Sequence, residues 1–493
     1  MLRRSKAIVH AMIPFAERRK PRVVVLGSGW GSFAAMTRLS PSHFDVICVS
    51  PRNHMLFTPL LASSAVGTLD FRSITEPIEE TLPSVVHLRA HAISMDATTN
   101  TIICEVEEDN PLSRIKTFPV SFDFAVIGVG ARPATFGVPG VEQHAHFLKE
   151  LTDARVIRLR ILRNLAAAVL PSATLEERAA LLSFVIVGGG PTGIEFAAEL
   201  FDFLSKDVLR LHPELIEMIK ITVLEAGGSV LSSFEAGLRE YATNTLRHKR
   251  IDVRTNAKVV RVEASSVVLA DNTVIPCGLC VWNTGLQSTS LIRAMTSNFS
   301  KDKWGHLVVT PNLRVLGTTT TTTSAGAGAD MMAATVPFNR IFALGDAVMI
   351  GGGGESPLPP TAQVAEQQGF YLAEALNSSA AIVARASGAT TGGVDSTALA
   401  IATAQTNALP FKYSHSGNLF SLGMSGGASD FSQRALPNPH HLDPLKGTTF
   451  TGAAANAIWK GAYMTKLGSW KNRLQVPLDW LKAFLYGRDT TIF

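Results

Sequence analysis

"LLSFVIVGGGPTGIEFAAELFDFL", residues 181–204, reads as a strand, a glycine turn and a helix in one run. Phe184, Val185, Ile186 and Val187 show no polar alternation, as in a strand covered on both faces. Gly188, Gly190 and Gly193 then stand in the spacing G-x-G-x-x-G. The first glycine allows a tight turn, the second lets backbone approach a pyrophosphate, and the third lets helix lie close on strand. Ile194, Ala197, Ala198 and Phe201 follow at core spacing. A helix start there offers N–H groups and the positive end of a dipole to a phosphate. Pro191 and Glu195 flank the third glycine and join the candidate binding residues.

The device occurs twice. "PRVVVLGSGWGSFAAMTRL" (21–39) has Gly27 and Gly29, with Ser32 in the third place and Trp30 and Gly31 in the turn. Two such units with matching flanks predict an α/β protein with two Rossmann-like dinucleotide-binding domains. After the second unit, "IKITVLEAG" ends in Glu225, 37 residues beyond Gly188. A carboxylate there accepts from both ribose hydroxyls and repels a 2′-phosphate, which favours NADH over NADPH. The usual separation is ~20 residues, and "SKDVLRLHPELIEM" (205–218) reads as inserted length. In the first unit "FDVICVS" ends in Ser50 where an acid is expected, and Arg52 and Asn53 follow.

Two nucleotides in one chain suggest a tightly held flavin and a visiting nicotinamide. Their order puts FAD on the N-terminal unit and NADH on the inserted one. Three strand ends support FAD: Gly130–Ala131 in "FDFAVIGVGARPATFGVPG" (122–140), Gly285 in "CVWNTG" (280–285), and Gly345–Asp346 in "NRIFALGDAVMIGG" (339–352). A carboxylate at Asp346 suits a ribityl hydroxyl. The helix "TAQVAEQQGFYLAEAL" (361–376) carries a small-residue stripe of Ala362, Ala365 and Gly369. Gln363 and Gln367 sit one turn apart beside it, with Glu366 between the two faces. The expectation is that the stripe admits a flat ring, that the uncharged amides meet a quinone's carbonyl oxygens, and that Glu366 is a candidate proton relay. Close packing on another helix is the alternative.

Composition narrows the classes. At 493 residues, 46% hydrophobic and 17% charged, the chain supports more than one domain. The net charge of +5 is not gathered on an aromatic-studded face, so nucleic-acid binding is not expected. Mean hydropathy is +0.19, yet no apolar run reaches 18 residues, so membrane contact is expected to be peripheral. Cys48, Cys104, Cys277 and Cys280 are too few for a disulfide scaffold. "CGLC" (277–280) precedes an apolar strand and has no second ligand pair, so neither a dithiol relay nor a metal site is expected.

The ends and the low-complexity stretches complete the plan. "MLRRSKAIVHAMIPFAERRKPRV" alternates basic and apolar residues as a mitochondrial presequence does. Residues 410–426 alternate like a hairpin. Trp459, Tyr463, Leu467, Trp470 and Leu474 recur at helical spacing, then Leu478, Leu481 and Leu485, among Lys460, Lys466, Lys471, Arg473, Lys482 and Arg488. That basic, aromatic pattern suits a membrane interface. "GTTTTTTSAGAGADMM" (317–332), the glycines 351–354 and the Ala/Ser/Thr-rich segment 377–408 read as mobile surface insertions.

These motifs together resemble the two-dinucleotide-binding-domain flavoproteins. Within them the chain is most similar to the type II (alternative, rotenone-insensitive) NADH:ubiquinone oxidoreductases. "GSGWGS", "SPRNHMLFTPLL", "VIVGGGPTGIEFAAEL", "LGD", "AQVAEQQG" and "WKGAYMTKLGSWKNRLQVPLDWLKAFLYGRD" carry the resemblance. Ser32 and Asn283 depart from the family pattern. The resemblance implies non-covalent FAD, NADH and ubiquinone as substrates, no proton pumping, a homodimer, and a peripheral place on the mitochondrial inner membrane. The implied division is presequence 1–20, FAD domain 21–148 and 287–412, NADH domain 149–286, and membrane-association region 413–493. Rival readings on the same fold are a sulfide:quinone or disulfide oxidoreductase and an NADH-sensing flavoprotein with little turnover.

Overall fold

The structure, a computed structural model, describes residues 20–107, 115–295, 298–321, 332–351, 358–386, 395–405, 409–424, 426–435 and 445–492. The expected presequence therefore lies outside the described residues except for Lys20, as do most of the glycines at 351–354. Along the chain, helix α1 (Trp30–Arg38) follows the first glycine turn and α2 (Pro191–Phe203) the second; α3 (Ala362–Ala386), α4 (Gly452–Lys466) and α5 (Trp470–Tyr486) come later. Contacts divide the chain into two compact units.

One unit comprises the described residues up to Met55, Glu76–Arg132 and Gln287–Tyr413. Its centre is Arg22–Leu26, which pairs in parallel with Asp45–Val49 on one side and Phe124–Ile127 on the other. Val23 through Leu26 and Ala125 through Ile127 are fully buried, as the uninterrupted apolar runs require. Val85–Leu88 extends the sheet at one edge, and 332–343, 314–321, 307–309 and 348–350 extend it at the other. Leu372, Ala373, Leu376 and Ala380 of α3 close the core.

The described parts of two low-complexity segments form regular structure, where mobile insertions are expected; residues 322–331, 387–394 and 406–408 lie outside the described residues. Arg314–Thr321 and Met332–Ala343 form an antiparallel pair with Thr318 opposite Thr335, because a run of β-branched threonines favours an extended chain. Helix α3 continues through "NSSAAIVARA" to Ala386, and Ser396–Gln405 is again helical. Alanine is the best helix former, and here its density outweighs the turn-like serines.

The other unit comprises Leu56–Thr75, Pro133–Leu286 and the chain from Ser414 on. Its parallel sheet runs 145–147, 279–282, 183–187, 220–224, 252–254. Ala145–Phe147 pairs with Cys280–Trp282, so this unit starts earlier than residue 149. Helix α2 ends in a π turn, Leu204–Val208, within the inserted segment. The hairpin Asn418–Ser421 and Gly427–Asp430, then α4 and α5, belong to this unit and not to a separate body. The aromatic stripe of the sequence is not one face. Helix α4 ends at Lys466 and α5 begins at Trp470; Trp459 and Leu467 are buried, whereas Trp470 and Leu474 are exposed.

Candidate functional site

In the first unit, Gly27 adopts φ +94°, and a Cβ there would lie 2.5 Å from the Gly128 carbonyl oxygen. Only glycine fits that turn. Above Gly29 the space is open except for the Arg52 guanidinium, 3.9 Å from where a Cβ would stand. Ser32 replaces the third glycine because its neighbour has none: Gly128 leaves room, and Ser32 Oγ donates to the Gly128 carbonyl at 3.3 Å. Gly31 lies under α3, where a Cβ would be 2.4 Å from Leu344 Cδ1 and 2.9 Å from the Ala365 carbonyl. Trp30 opens α1, and Gly130 and Ala131 follow the neighbouring strand, with no atom within 4 Å of a Cβ at Gly130.

Ser50 is buried, and its hydroxyl is committed. It donates to Ser28 Oγ at 3.0 Å and accepts the Arg52 N–H at 3.2 Å, while Ser28 Oγ donates to the His54 carbonyl. Its observed role is to tie the loop "PRNH" to the glycine turn. Asn53 is exposed and pairs with His54 Nδ1 at 3.0 Å. Burial, with Arg52 and His87 alongside, pushes His54 down to about 4, so the ring is neutral at pH 7. The positive charge beside this turn is therefore that of Arg52.

The second unit repeats the geometry. Gly188 adopts φ +110°, and a Cβ there would lie 2.5 Å from the Asn283 carbonyl. Because the backbone of Asn283 makes this contact, the departure from the family pattern leaves the turn intact. Gly193 packs on the Gly188 carbonyl, Pro191 takes the first helical position, and nothing lies within 4 Å of a Cβ at Gly190. Glu225 caps this turn: Oε2 accepts the Gly189 N–H at 2.7 Å and Oε1 the Gly227 N–H at 2.6 Å. Gly285 does not face open space; the Phe136 ring covers it, with Cζ 2.2 Å from a built Cβ.

Helix α3 answers the question of the small residues. A Cβ at Gly369 would stand 2.2 Å from the Gly31 carbonyl and 3.0 Å from the Ala35 nitrogen. The gap is filled by α1 rather than by a flat ligand, which corrects the expectation for Ala365 and Gly369. Ala362, Gln363, Glu366 and Gln367 remain half-buried on the first turns, and Tyr413 OH donates to Gln363 Oε1 at 3.3 Å. A third glutamine, beyond the two that the sequence pattern singles out, also acts here. Gln368 is buried, and its Oε1 accepts the Gly345 N–H at 2.7 Å, fixing the turn that carries Asp346. Its place on the stripe Val364–Gln368–Leu372 is the signal that marks it.

Glu195 points elsewhere than expected. Its Oε1 accepts the Ser421 N–H at 3.0 Å, beneath the C-terminal segment. Burial pushes its carboxyl up to about 8; the Ser421 N–H opposes the rise and the Glu199 charge adds to it. Glu199 and Asp202 follow on the same helix at spacings of four and three, both buried. Asp202 accepts from Lys249 Nζ and from the Met424 N–H. Arg488, expected among the surface cations, is buried and pairs with Glu199 and Asp207. The sequence signal was present: acids at 195, 199 and 202 interrupt an otherwise apolar helix on one face. Beside them lies a cavity of about 440 Å³, lined by Glu199, Ser421, Trp459, Lys460, Trp480 and Phe484 among others.

All four cysteines are free and buried. Burial pushes Cys277 up to about 11 and Cys48 and Cys104 up to about 12, and raises Cys280 as well. Thiols so protonated are poor nucleophiles. Among the described residues no cluster of side chains suits a metal ion.

Residues 21–369 match the family model for pyridine nucleotide-disulphide oxidoreductases, and 439–489 match that of the NDH2 C-terminal domain. The chain is 36% identical to a probable NADH dehydrogenase of Dictyostelium discoideum, over 99% of this chain and 95% of that one. It is 35% identical to the mitochondrial internal alternative NAD(P)H-ubiquinone oxidoreductase A1 of Arabidopsis thaliana, over 97% and 87%.

The chain belongs to the alternative, type II NADH:ubiquinone oxidoreductases.

Its fold is that of the family: NDH2 of Plasmodium falciparum, solved with NADH, superposes with a TM-score of 0.78 at 24% identity, covering 96% of this chain and all of that one. The family's flavin and nicotinamide also fit the residues present. Each glycine turn is a cradle that a Cβ would fill, with an open middle glycine and a helix start behind it. A carboxylate stands on the second cradle and a guanidinium on the first.

Proposed function

We propose that this chain is a non-proton-pumping NADH:ubiquinone oxidoreductase that works at a membrane surface. The observation that carries the reading is the paired geometry of Gly27 on Gly128 and Gly188 on Asn283, with Glu225 on the second cradle alone. The first cradle, with Arg52 and Asp346, would hold non-covalent FAD. The second, with Gly190 and Glu225, would hold NADH. FAD, held there, would supply the hydride acceptor for NADH and the two-electron donor for the quinone.

The chain's own residues bind, orient and hold protons. Glu225 accepts ribose hydroxyls while the Gly189 and Gly227 N–H groups keep it in place. The start of α3, with Gln363 and Gln367, offers uncharged amides to a quinone head. Within its own unit, the cavity beside α4 and α5 presents an apolar wall of Trp459, Trp480 and Phe484 that suits an isoprenoid chain. Glu195 accepts the N–H of Ser421, which lines that cavity, and with its carboxyl pushed up to about 8 by burial it is a proton store.

The place in the cell belongs to the same proposal. Relatives with this architecture are described as mitochondrial. Among the described residues no helix is long and apolar enough to cross a membrane, and α5 exposes Trp470, Leu474, Leu478, Phe484 and Leu485 beside Lys471, Arg473 and Lys482. Peripheral attachment to the inner membrane, a cleaved basic leader and a homodimer complete the reading.

Stopped-flow absorbance on the FAD-loaded protein tests it. NADH, mixed in without oxygen, should bleach the flavin, and short-chain ubiquinone should restore it. Bleaching that quinone fails to reverse would replace the reading with an NADH-sensing flavoprotein.

A further inference from the structure

Two residues beyond α5 stands the guanidinium of Arg488, which neither nucleotide cradle uses. The Arg488 side chain is 1% exposed. Nη1 donates to Asp207 Oδ2 at 2.8 Å, the backbone N–H to Asp207 Oδ1 at 3.2 Å, Nη2 to Glu199 Oε2 at 3.3 Å, and Nε to Thr68 Oγ1 at 2.8 Å. Thr68 Oγ1 donates in turn to Glu199 Oε2 at 2.8 Å, and Ser63 Oγ to Glu199 Oε1 at 3.0 Å. The segment holding Ser63 and Thr68, helix α2, the π turn and the tail thus meet at one point.

Two features suggest that this meeting is built for a purpose. Asp207 stands on the π turn Leu204–Val208, and such turns concentrate at functional sites. Gly487 adopts φ +82°, and a Cβ there would lie 2.6 Å from Asp207 Oδ1, so the tail enters the cluster only through glycine. A buried ion pair is weak evidence for stability, since apolar packing does as well; its best-attested use is to fix register. Here there is a register to fix. Asp479 of α5 accepts from Asp70 N–H at 3.1 Å and Ser73 Oγ at 2.6 Å, and Asn472 Nδ2 donates to the Thr75 carbonyl at 2.8 Å. With α5 so placed, Trp480, Leu481 and Phe484 form part of the cavity wall, and Thr68 and Glu199 another part. A slip of one helical turn, ~5.4 Å, would carry all three apolar side chains off it.

We propose that Arg488 is a positioning residue for the quinone half of the reaction: it locks the register of α5, and with it the shape of the cavity that takes the quinone's tail. This rests on the quinone reading above. Arg488 touches no substrate in this scheme; it acts through Trp480, Leu481 and Phe484.

The test compares Arg488→Met, the double variant Arg488→Met/Asp207→Asn and Arg488→Lys with the parent, all FAD-loaded. The double variant leaves no aspartate charge stranded, and Glu199 keeps its bonds from Ser63 and Thr68. Amide exchange across 470–486 should speed at least tenfold in both methionine variants. The Michaelis constant for a ubiquinone with an isoprenoid tail should rise about tenfold. The rate of flavin reduction by NADH should stay within twofold. Lysine, which pairs without the planar fork, should restore part of both losses. Unchanged exchange with an unchanged constant would overturn the proposal. So would equal losses in both half-reactions, or failure of both methionine variants to fold, since each would make Arg488 a general stabiliser. If the parent itself does not reduce quinone, the functional reading fails, while exchange at 470–486 still decides whether the tail locks the helix.

Discussion

Gly369 and Gly31 meet backbone to backbone, and a single methyl group on Gly369 would stand 2.2 Å from the Gly31 carbonyl oxygen. The contact gives a prediction with an unusual sign. Alanine inside a helix is normally favoured over glycine by ~1 kcal/mol. Here the methyl meets backbone that cannot swing aside, and overpacking of this kind costs 1–3 kcal/mol as a rough range. Gly369→Ala should therefore lower the melting temperature by several degrees, and Gly369→Val by more. A stabilised Gly369→Ala variant would mean that α1 and α3 do not touch there.

Glu225 supplies a second prediction. Its two oxygens each take one backbone N–H, and glutamine can keep only one of those bonds. Glu225→Gln should raise the Michaelis constant for NADH by about tenfold, on the order of a lost charged hydrogen bond. It should also narrow the preference for NADH over NADPH, because the charge that repels a 2′-phosphate is gone. Steady-state rates with both coenzymes check it, and an unaltered preference would remove Glu225 from the nucleotide site.

The two cradles were legible because their signal is local: an apolar strand, glycines at fixed spacing and a helix within some twenty residues. The glycine stripe of α3 was not decisive, since helical spacing is the same whether the gap admits a ring or another helix. Ser50 looked like a weak substitute for an acid, but only coordinates reveal that Ser28 and the Arg52 N–H occupy its hydroxyl. Low complexity suggests a mobile insertion at 317–332, yet the described threonines 318–321 lie in a strand, as β-branching favours. The acids at 195, 199 and 202 mark a polar face on α2, but the pairing with Arg488 is out of reach of the sequence, because Arg488 and Asp207 lie 281 residues apart and nothing near either one announces the other.

The buried thiols carry a third prediction. With Cys277 at about 11 and Cys48 and Cys104 at about 12, almost no thiolate exists at pH 7.5. Iodoacetamide should leave the native protein unmodified by mass and its NADH:quinone activity unchanged, and Cys277→Ser/Cys280→Ser should turn over normally. Loss of turnover on alkylation would revive the thiol-dependent rival.

Attachment to a membrane is better probed by side-chain changes than by removing residues 456–493. Asn456, Trp459, Leu467, Val476 and Ala483 are buried in their unit, so deletion would open a core. Trp470, Leu474 and Leu478 are exposed on one stripe of α5. Changing all three to serine should leave the melting temperature within a few degrees. It should weaken binding to anionic vesicles by a hundredfold or more, from roughly 1.5–3 kcal/mol for each large apolar side chain buried. Vesicle co-sedimentation gives the answer; equal binding by parent and variant would move the attachment surface elsewhere.

Glu195 links pH to stability with a definite sign. In the unfolded chain its carboxyl ionises near 4.5, and in the folded protein at about 8. Between those values the folded state holds a proton that the unfolded state has released. Stability from this group is therefore complete below about 4.5, falls as pH rises through the window, and levels off above about 8. Glu195→Gln has no proton to lose and still accepts the Ser421 N–H through its amide oxygen. Its melting temperature should match the parent's near pH 5 and exceed it by a growing margin at pH 7 and 8.5. Calorimetry at the three values checks this, and parallel profiles would show that Glu195 ionises normally in the fold. If the carboxyl also supplies a proton to the quinone, the same variant should slow flavin reoxidation most at pH 6–7, where the parent's acid is loaded, and least above pH 9, where it is empty.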